Sequence, residues 1–390
     1  MISPTVLDVD VAVDPLAGRA LHDLLREARE RPGLTEVKMM GGPAYLVSRF
    51  PELRAFFLDD EHFPGAPAYQ ETIMLQVGDT FISMENPRHD IYRQLATPAF
   101  RSRAVTRFVD EALTPLAHEV VDRFAVRGEA DLVAELARVF PFWAISRKLG
   151  LPSGDEERMR QLALAMFGQS FSDLDPTSAV DEISATIQAA LEQRRRSPGQ
   201  DVLSQLMAAD RNGQRLSDQE IINHVRLLFA VGATTTSDSM ASLLWALLVQ
   251  PGVLEAARQH PQLRPNIIHE LLRCEPSVPL LPRRAPYGGV LAGTELPEGA
   301  FILAGVAAAN RDPHRYPDPD RFDPRREPSE ILTFGFGVKY CPGNHLARQQ
   351  LTVALDVVLD RLPNLKLVEA SEPSGAILRS APYVHATWDI

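Results

Sequence analysis

The sequence predicts a mainly α-helical single unit with small β-sheets, and three observations predict it. From about residue 90 to 275, apolar residues recur at intervals of three and four in successive blocks, among them Ala112–Phe124, Leu132–Leu149 and Val180–Arg196. That spacing gives a helix one apolar face. Strand-like stretches are short, β-branched and bounded by Gly and Pro, at Pro43–Ser48 and within Val278–Val306. The 31 prolines are spread along the chain and mark no interdomain linker, so residues 1–390 read as one domain.

Taken in order, residues 1–14 carry acidic residues and prolines, and are expected to be a poorly ordered leading segment. They lack the basic end and apolar run of a signal peptide. Phe63–Phe81 reads as a long insert-like loop. Ser217-Asp-Gln-Glu220 has the Ser-x-x-Glu form of a capping box, which satisfies two free N–H groups at a helix start, and an apolar pattern follows it to Val249. Pro251-Gly252 stops that helix, and a final helix is expected near 343–361.

Composition excludes several function classes. The net charge of −11 leaves no general cationic surface for nucleic acid. No run of about 20 apolar residues exists to cross a membrane. Two cysteines, Cys274 and Cys341, give neither a disulfide framework nor a CxxC zinc site, as in a reduced cytoplasmic protein. There is no Gly-x-Ser-x-Gly elbow and no P-loop.

The segment Phe334-Gly-Phe-Gly-Val-Lys-Tyr-Cys-Pro-Gly-Asn-His-Leu-Ala-Arg348 is the most informative. Glycines 335, 337 and 343 surround Cys341, and Pro342-Gly343 leads into a helical pattern. Backbone N–H groups and a helix N-terminus stabilise a thiolate there, as an electron-rich metal ligand or as a nucleophile. This loop resembles the cysteine-ligand loop of the cytochrome P450 family, with Lys339 where members usually carry Arg or His. Glu270-Leu-Leu-Arg273 resembles the family's Glu-x-x-Arg helix, and Asn310–Phe322 follows at the family's place. Glu85–Arg93 resembles its propionate-contacting helix, and Leu227–Thr236 its oxygen-side helix.

The resemblance implies the P450 fold and one haem b whose iron takes the Cys341 thiolate, with Gly343 beside it. His89, Arg93, Arg283 (Arg284 as runner-up) and Lys339 are expected at the haem propionates. Glu270, Arg273 and Arg321 are expected in a buried structural network. Thr235 is expected to deliver protons, with Thr234 standing where the family usually has an acid. Leu228, Val231, Gly232, Val278 and Leu280 are expected to line a mainly apolar pocket. The implied reaction inserts one atom of O₂ into a small organic substrate. Electrons come from NAD(P)H through ferredoxin reductase and ferredoxin, which docks on a basic face of Arg101, Arg103, Arg107, Lys339 and Arg348. Two other readings use the same loop: atypical chemistry on this scaffold (coupling, dehydration or nitration), prompted by Thr234, and a haem-thiolate sensor, which would need no Thr235.

Overall fold

A helix that is apolar on all sides must sit in a core, and the longest helix of this chain does. The computed structural model describes residues 2–152, 156–166 and 174–390. Five helices position the site: α1 (Arg88–Ala96), α2 (Phe140–Leu149), α3 (Asp218–Val249), α4 (Arg264–Cys274) and α5 (Asn344–Arg361). The Ser217 hydroxyl accepts from the Glu220 N–H (3.3 Å), while the Glu220 carboxylate accepts from the Ser217 N–H (2.7 Å), which completes the capping box. Of the 32 residues of α3, 22 are buried. The helix ends before Gly252, whose φ of +74° suits glycine. No single described helix is long and apolar enough to cross a membrane.

Two expected helices are shorter than their patterns. Leu132–Leu149 divides into a π turn over Val133–Ala137 and α2, because Pro141 lacks an N–H and is accommodated in a first turn. Pro115 does the same for Ala112–Phe124: a π turn over Val109–Leu113 precedes the helix Thr114–Ala125. The Phe63–Phe81 stretch is not a bare loop, since it makes short helices at Ala66–Glu71 and Met74–Val77.

The leading segment is also corrected. Thr5–Asp10 forms β1, which pairs in parallel with β2 (Thr35–Met39). Its alternation of half-buried and exposed residues supplies an edge strand. With β3 (Gly42–Val47), β4 (Leu280–Ala285) and β5 (Ala300–Gly305), the sheet runs β1-β2-β3-β5-β4. β4 and β5 are antiparallel, with Arg283 opposite Ile302.

The segment Asp79–Met84 is fastened to the start of α3. His224 lies between the rings of Phe81 and Tyr92, with centroids 5.8 and 6.0 Å away. Its Nδ1–H donates to the Glu220 carbonyl (2.7 Å) and its Nε2 accepts from the Phe81 N–H (3.3 Å). The Tyr92 hydroxyl donates to the Glu220 carboxylate.

Candidate functional site

The loop before α5 is built around Cys341. Its N–H donates to the Phe334 carbonyl (2.9 Å), which closes the loop. Gly335 and Gly337 have φ of +70° and +72°, and a Cβ at Gly337 would stand 2.7 Å from the Phe57 carbonyl oxygen. Only glycine fits both demands there. Gly343 is different: its φ is −82°, and a Cβ would lie 3.7 Å from Cys341 Sγ, an ordinary contact. Its contribution is its N–H, which with that of Asn344 is directed to the sulfur.

The two cysteines are in unlike surroundings. Cys274 is closed in, with its sulfur 3.0 Å from an Arg273 nitrogen, and burial pushes its thiol up to about 11. Cys341 is only half-buried although it lies deep in the fold, so its sulfur faces internal room. Burial pushes its thiol up, while the Gly343 and Asn344 N–H groups and Arg93 pull it down. Those donors favour a sulfur that carries negative charge, as a metal-bound thiolate does.

Four basic side chains converge near this loop. His89 is 1% exposed, and its Nε2 has no partner. Burial, then the charges of Lys339 and Arg93, push it down to about 4. Arg93, one helical turn on, donates to the Tyr340 carbonyl. Lys339 Nζ donates to the carbonyls of Met84 (2.6 Å), Phe81 and Ile82 (both 3.3 Å), and burial pushes it down to about 8. Arg283 is buried, with its guanidinium over Phe57 (5.6 Å) and Tyr69 (5.8 Å). Arg284 turns out of the group and pairs with Glu71. Gly65, which carried no sequence signal, makes room: a Cβ there would stand 3.3 Å from both Arg283 Cζ and Lys339 Cγ.

Among the described residues Arg93, Arg283 and Lys339 make no ion pair, and His89, uncharged at neutral pH, bonds its neighbour Asp90 through Nδ1 at 3.3 Å. Buried cations without counter-charges are costly. A flat group bearing two carboxylates, with a metal that accepts a thiolate, satisfies both the cations and the sulfur. Haem b has that composition, and the residues fit it.

On α3, Thr234 and Thr235 turn their hydroxyls back to the carbonyls of Ala230 (2.8 Å) and Val231 (2.7 Å). Val231, Gly232, Thr235 and Asp238 keep accessible surface in this stretch, whereas Thr234 and Leu228 are closed in. Of these, Gly232 also packs closely on α2, since a Cβ there would meet Ile145 at 3.1 Å. Leu280 is corrected. It is buried with Leu21, Leu25, Leu46 and Leu303 in the cluster beside the sheet. Side chains alternate along a strand, so Leu281 shares a face with Arg283 while Leu280 points away. Val278, just before β4, is half-buried.

The structural network differs in one member. Glu270 and Arg273 form a two-pronged buried pair, both bonds 2.8 Å. The third member is Arg326, whose Nε donates to Glu270 Oε1 (3.0 Å). Arg321 is exposed and lends only its backbone carbonyl, to Arg273 (3.2 Å). Arg326 is held in this place by further bonds to the carbonyls of Pro317 (2.7 Å) and Asp318 (3.0 Å). The expected basic face is smaller too: Arg101, Arg103 and Arg107 are exposed, but Lys339 turns inward and Arg348 packs over Phe334 at 5.0 Å.

A family model described as Cytochrome P450 matches residues 175–373. The chain is 33% identical over 367 residues to the mycinamicin IV hydroxylase/epoxidase of Micromonospora griseorubida, covering 89% of this chain and 90% of that one. It is 32% identical over 368 residues to the cyclomarin C epoxidase CymV of Salinispora arenicola, covering 90% and 91%. Among solved structures, cytochrome P450 CYP109Q5 from Chondromyces apiculatus superposes with a TM-score of 0.88 at 26% identity, covering 98% of each chain.

Proposed function

Since the chain belongs to the cytochrome P450 family and is a haem-dependent monooxygenase, we propose that it oxygenates a mainly apolar small organic molecule with electrons from a ferredoxin. The observation that supports this most is the pairing of a half-buried, amide-directed Cys341 with four converging basic groups. His89, Arg93, Arg283 and Lys339 would hold the propionates, and Cys341 the iron. Bound in this way, haem supplies reductive activation of O₂: one atom enters the substrate, the other leaves as water, and two electrons and two protons are consumed. The Cys341 sulfur donates electron density and so favours O–O cleavage.

The chain's own part is positioning and proton control. Val231 and Leu281 offer apolar surface to a substrate, and Thr235 offers a hydroxyl beside it. Thr235 holds a proton at Oγ1 that it now gives to the Val231 carbonyl, and a rotation about χ1 would redirect it. Thr235→Ala should keep NAD(P)H consumption near normal and release peroxide in place of product. General acid help is worth about 10²–10⁴-fold, so coupling should fall at least tenfold. Unchanged coupling would remove Thr235 from the relay.

An acidic ferredoxin would meet Arg101, Arg103 and Arg107. Near the Cys341 loop, Leu58, Val338 and Tyr340 are exposed and provide an apolar contact. Surface charge steering is screened by salt. Reduction should therefore slow as salt rises, and Arg103→Glu should slow it further at low salt. A rate indifferent to both would exclude this face.

A further inference from the structure

The acid missing at position 234 has a counterpart one turn further along α3. Val231, Thr235 and Asp238 stand at i, i+4 and i+7, a spacing that aligns them on one helix face. All three keep accessible surface, as does Gly232, whereas Ala230, Ala233, Thr234, Thr236, Ser237 and Ser239 are buried. Asp238 thus lies on the stripe that carries the Thr235 hydroxyl, about 4.5 Å along the helix axis from it at 1.5 Å per residue.

We infer that Asp238 supplies protons to Thr235, replacing a carboxyl at position 234. This rests on the monooxygenase reading above. The carboxyl proton passes, through one bridging water, to the Thr235 oxygen, and Thr235 releases its own hydroxyl proton into the room above Cys341. A polar contact beyond 3.5 Å is commonly bridged in this way. The Asp238 carboxylate is then reprotonated from solvent on the side of Arg138, so the relay returns to its starting state.

The surroundings suit that task. The groups that act on Asp238 are the Ser380 hydroxyl from the C-terminal stretch and Arg138, which is exposed and follows the π turn before α2. Burial pushes the Asp238 carboxyl up to about 7, with Ser380 and Arg138 opposing. An acid with that affinity is protonated part of the time at neutral pH and can be recharged, as proton transfer requires. The Arg138 guanidinium also donates to the Pro382 carbonyl (3.1 Å), which holds it at the outer end of this route.

The test uses haem-loaded enzyme with Asp238→Asn, Asp238→Glu, Ser380→Ala and Thr235→Ala. Asp238→Asn should leave the CO-bound spectrum unchanged and lower product per NAD(P)H about tenfold, less than the about 10²–10⁴-fold of full general acid help, because water still reaches Thr235. Asp238→Glu should restore part of it. In the wild type, coupling should fall as pH rises through about 7, the value for Asp238. That limb should vanish in Asp238→Asn and move to higher pH in Ser380→Ala, because a bond favouring the carboxylate is lost. A second readout is independent of turnover. A carboxyl whose affinity is raised by folding loses stability as pH rises from its unfolded value to its folded one. The melting temperature of Asp238→Asn minus that of the wild type should therefore grow from pH 4 to pH 7. If Thr235→Ala uncouples and Asp238→Asn does not, the inference falls while the monooxygenase reading stands. If the wild type lacks the thiolate-haem spectrum, the monooxygenase reading itself falls.

Discussion

Cys341→Ser abolishes the strongly red-shifted Soret band that the reduced, CO-bound wild type is expected to show. The hydroxyl of serine is a poor ligand at neutral pH, and the other cysteine, Cys274, is not placed to substitute, because it is held beside Arg273 in the structural network. The change is all-or-none in the spectrum, and monooxygenase turnover should fall to background. The same measurement separates two neighbours. Arg283→Gln should weaken haem retention on dilution, since it removes a buried cation, whereas Arg284→Gln removes interactions outside the group, with Glu71, the Gly299 carbonyl and Phe301. A wild-type spectrum like that of a histidine-bound haem would contradict the Cys341 assignment.

Glu270→Ala should destabilise the haem-loaded protein by about 3–5 kcal/mol, the range for stranding one partner of a buried pair. Here the stranded partner is Arg273, whose side chain is 1% exposed. Arg326→Ala should cost less, about 1–2 kcal/mol for a charge-assisted bond lost at a partly exposed site, because Arg273 still holds Glu270. Arg321→Ala should stay within about 0.5 kcal/mol, as for ordinary surface changes. Urea midpoints of the three variants check this order, and an Arg321 effect larger than that of Arg326 would reverse the assignment. The network also sets a pH dependence. Burial pushes the Glu270 carboxyl up, but Arg273, the Asp323 N–H and Arg326 outweigh it and bring it below its ordinary value. A depressed carboxyl contributes stability above its unfolded value, and that contribution is lost as pH falls through the folded value.

The parts of the site that were legible in the sequence are those written in contiguous residues. The Cys341 loop declares itself through glycines at fixed offsets, and His89 and Arg93 through a one-turn spacing. The parts that were not legible depend on direction. Leu280 and Leu281 are equally apolar, and only the phase of β4 decides which faces Arg283. Gly232 reads as open space in the sequence, and only the packing of α2 shows how little of a side chain it could carry. Arg321 and Arg326 lie five residues apart in a proline-rich turn, and only the folded turn, whose Pro317 and Asp318 carbonyls accept from Arg326, chooses between them. β1 was missed because its pairing partner, not its composition, orders it. The spacing of Asp238 from Val231 and Thr235 is readable in the sequence, but spacing alone does not separate a proton donor from a solvated carboxylate, which its contact with Ser380 and Arg138 does.

The converging cations have a thermodynamic consequence. Arg93, Arg283 and Lys339 repel one another in a poorly solvated place, and their charge and burial keep His89 neutral, so the polypeptide alone bears an unfavourable interior that a dianionic ligand relieves. Folding and cofactor capture are then linked equilibria, and part of the native free energy is held as binding free energy. By mass action, free haem at one hundred times its dissociation constant adds about 2.7 kcal/mol to the folded state. The apparent stability of this protein is therefore a function of haem supply, and a cell short of haem holds a less stable protein as well as a less active one.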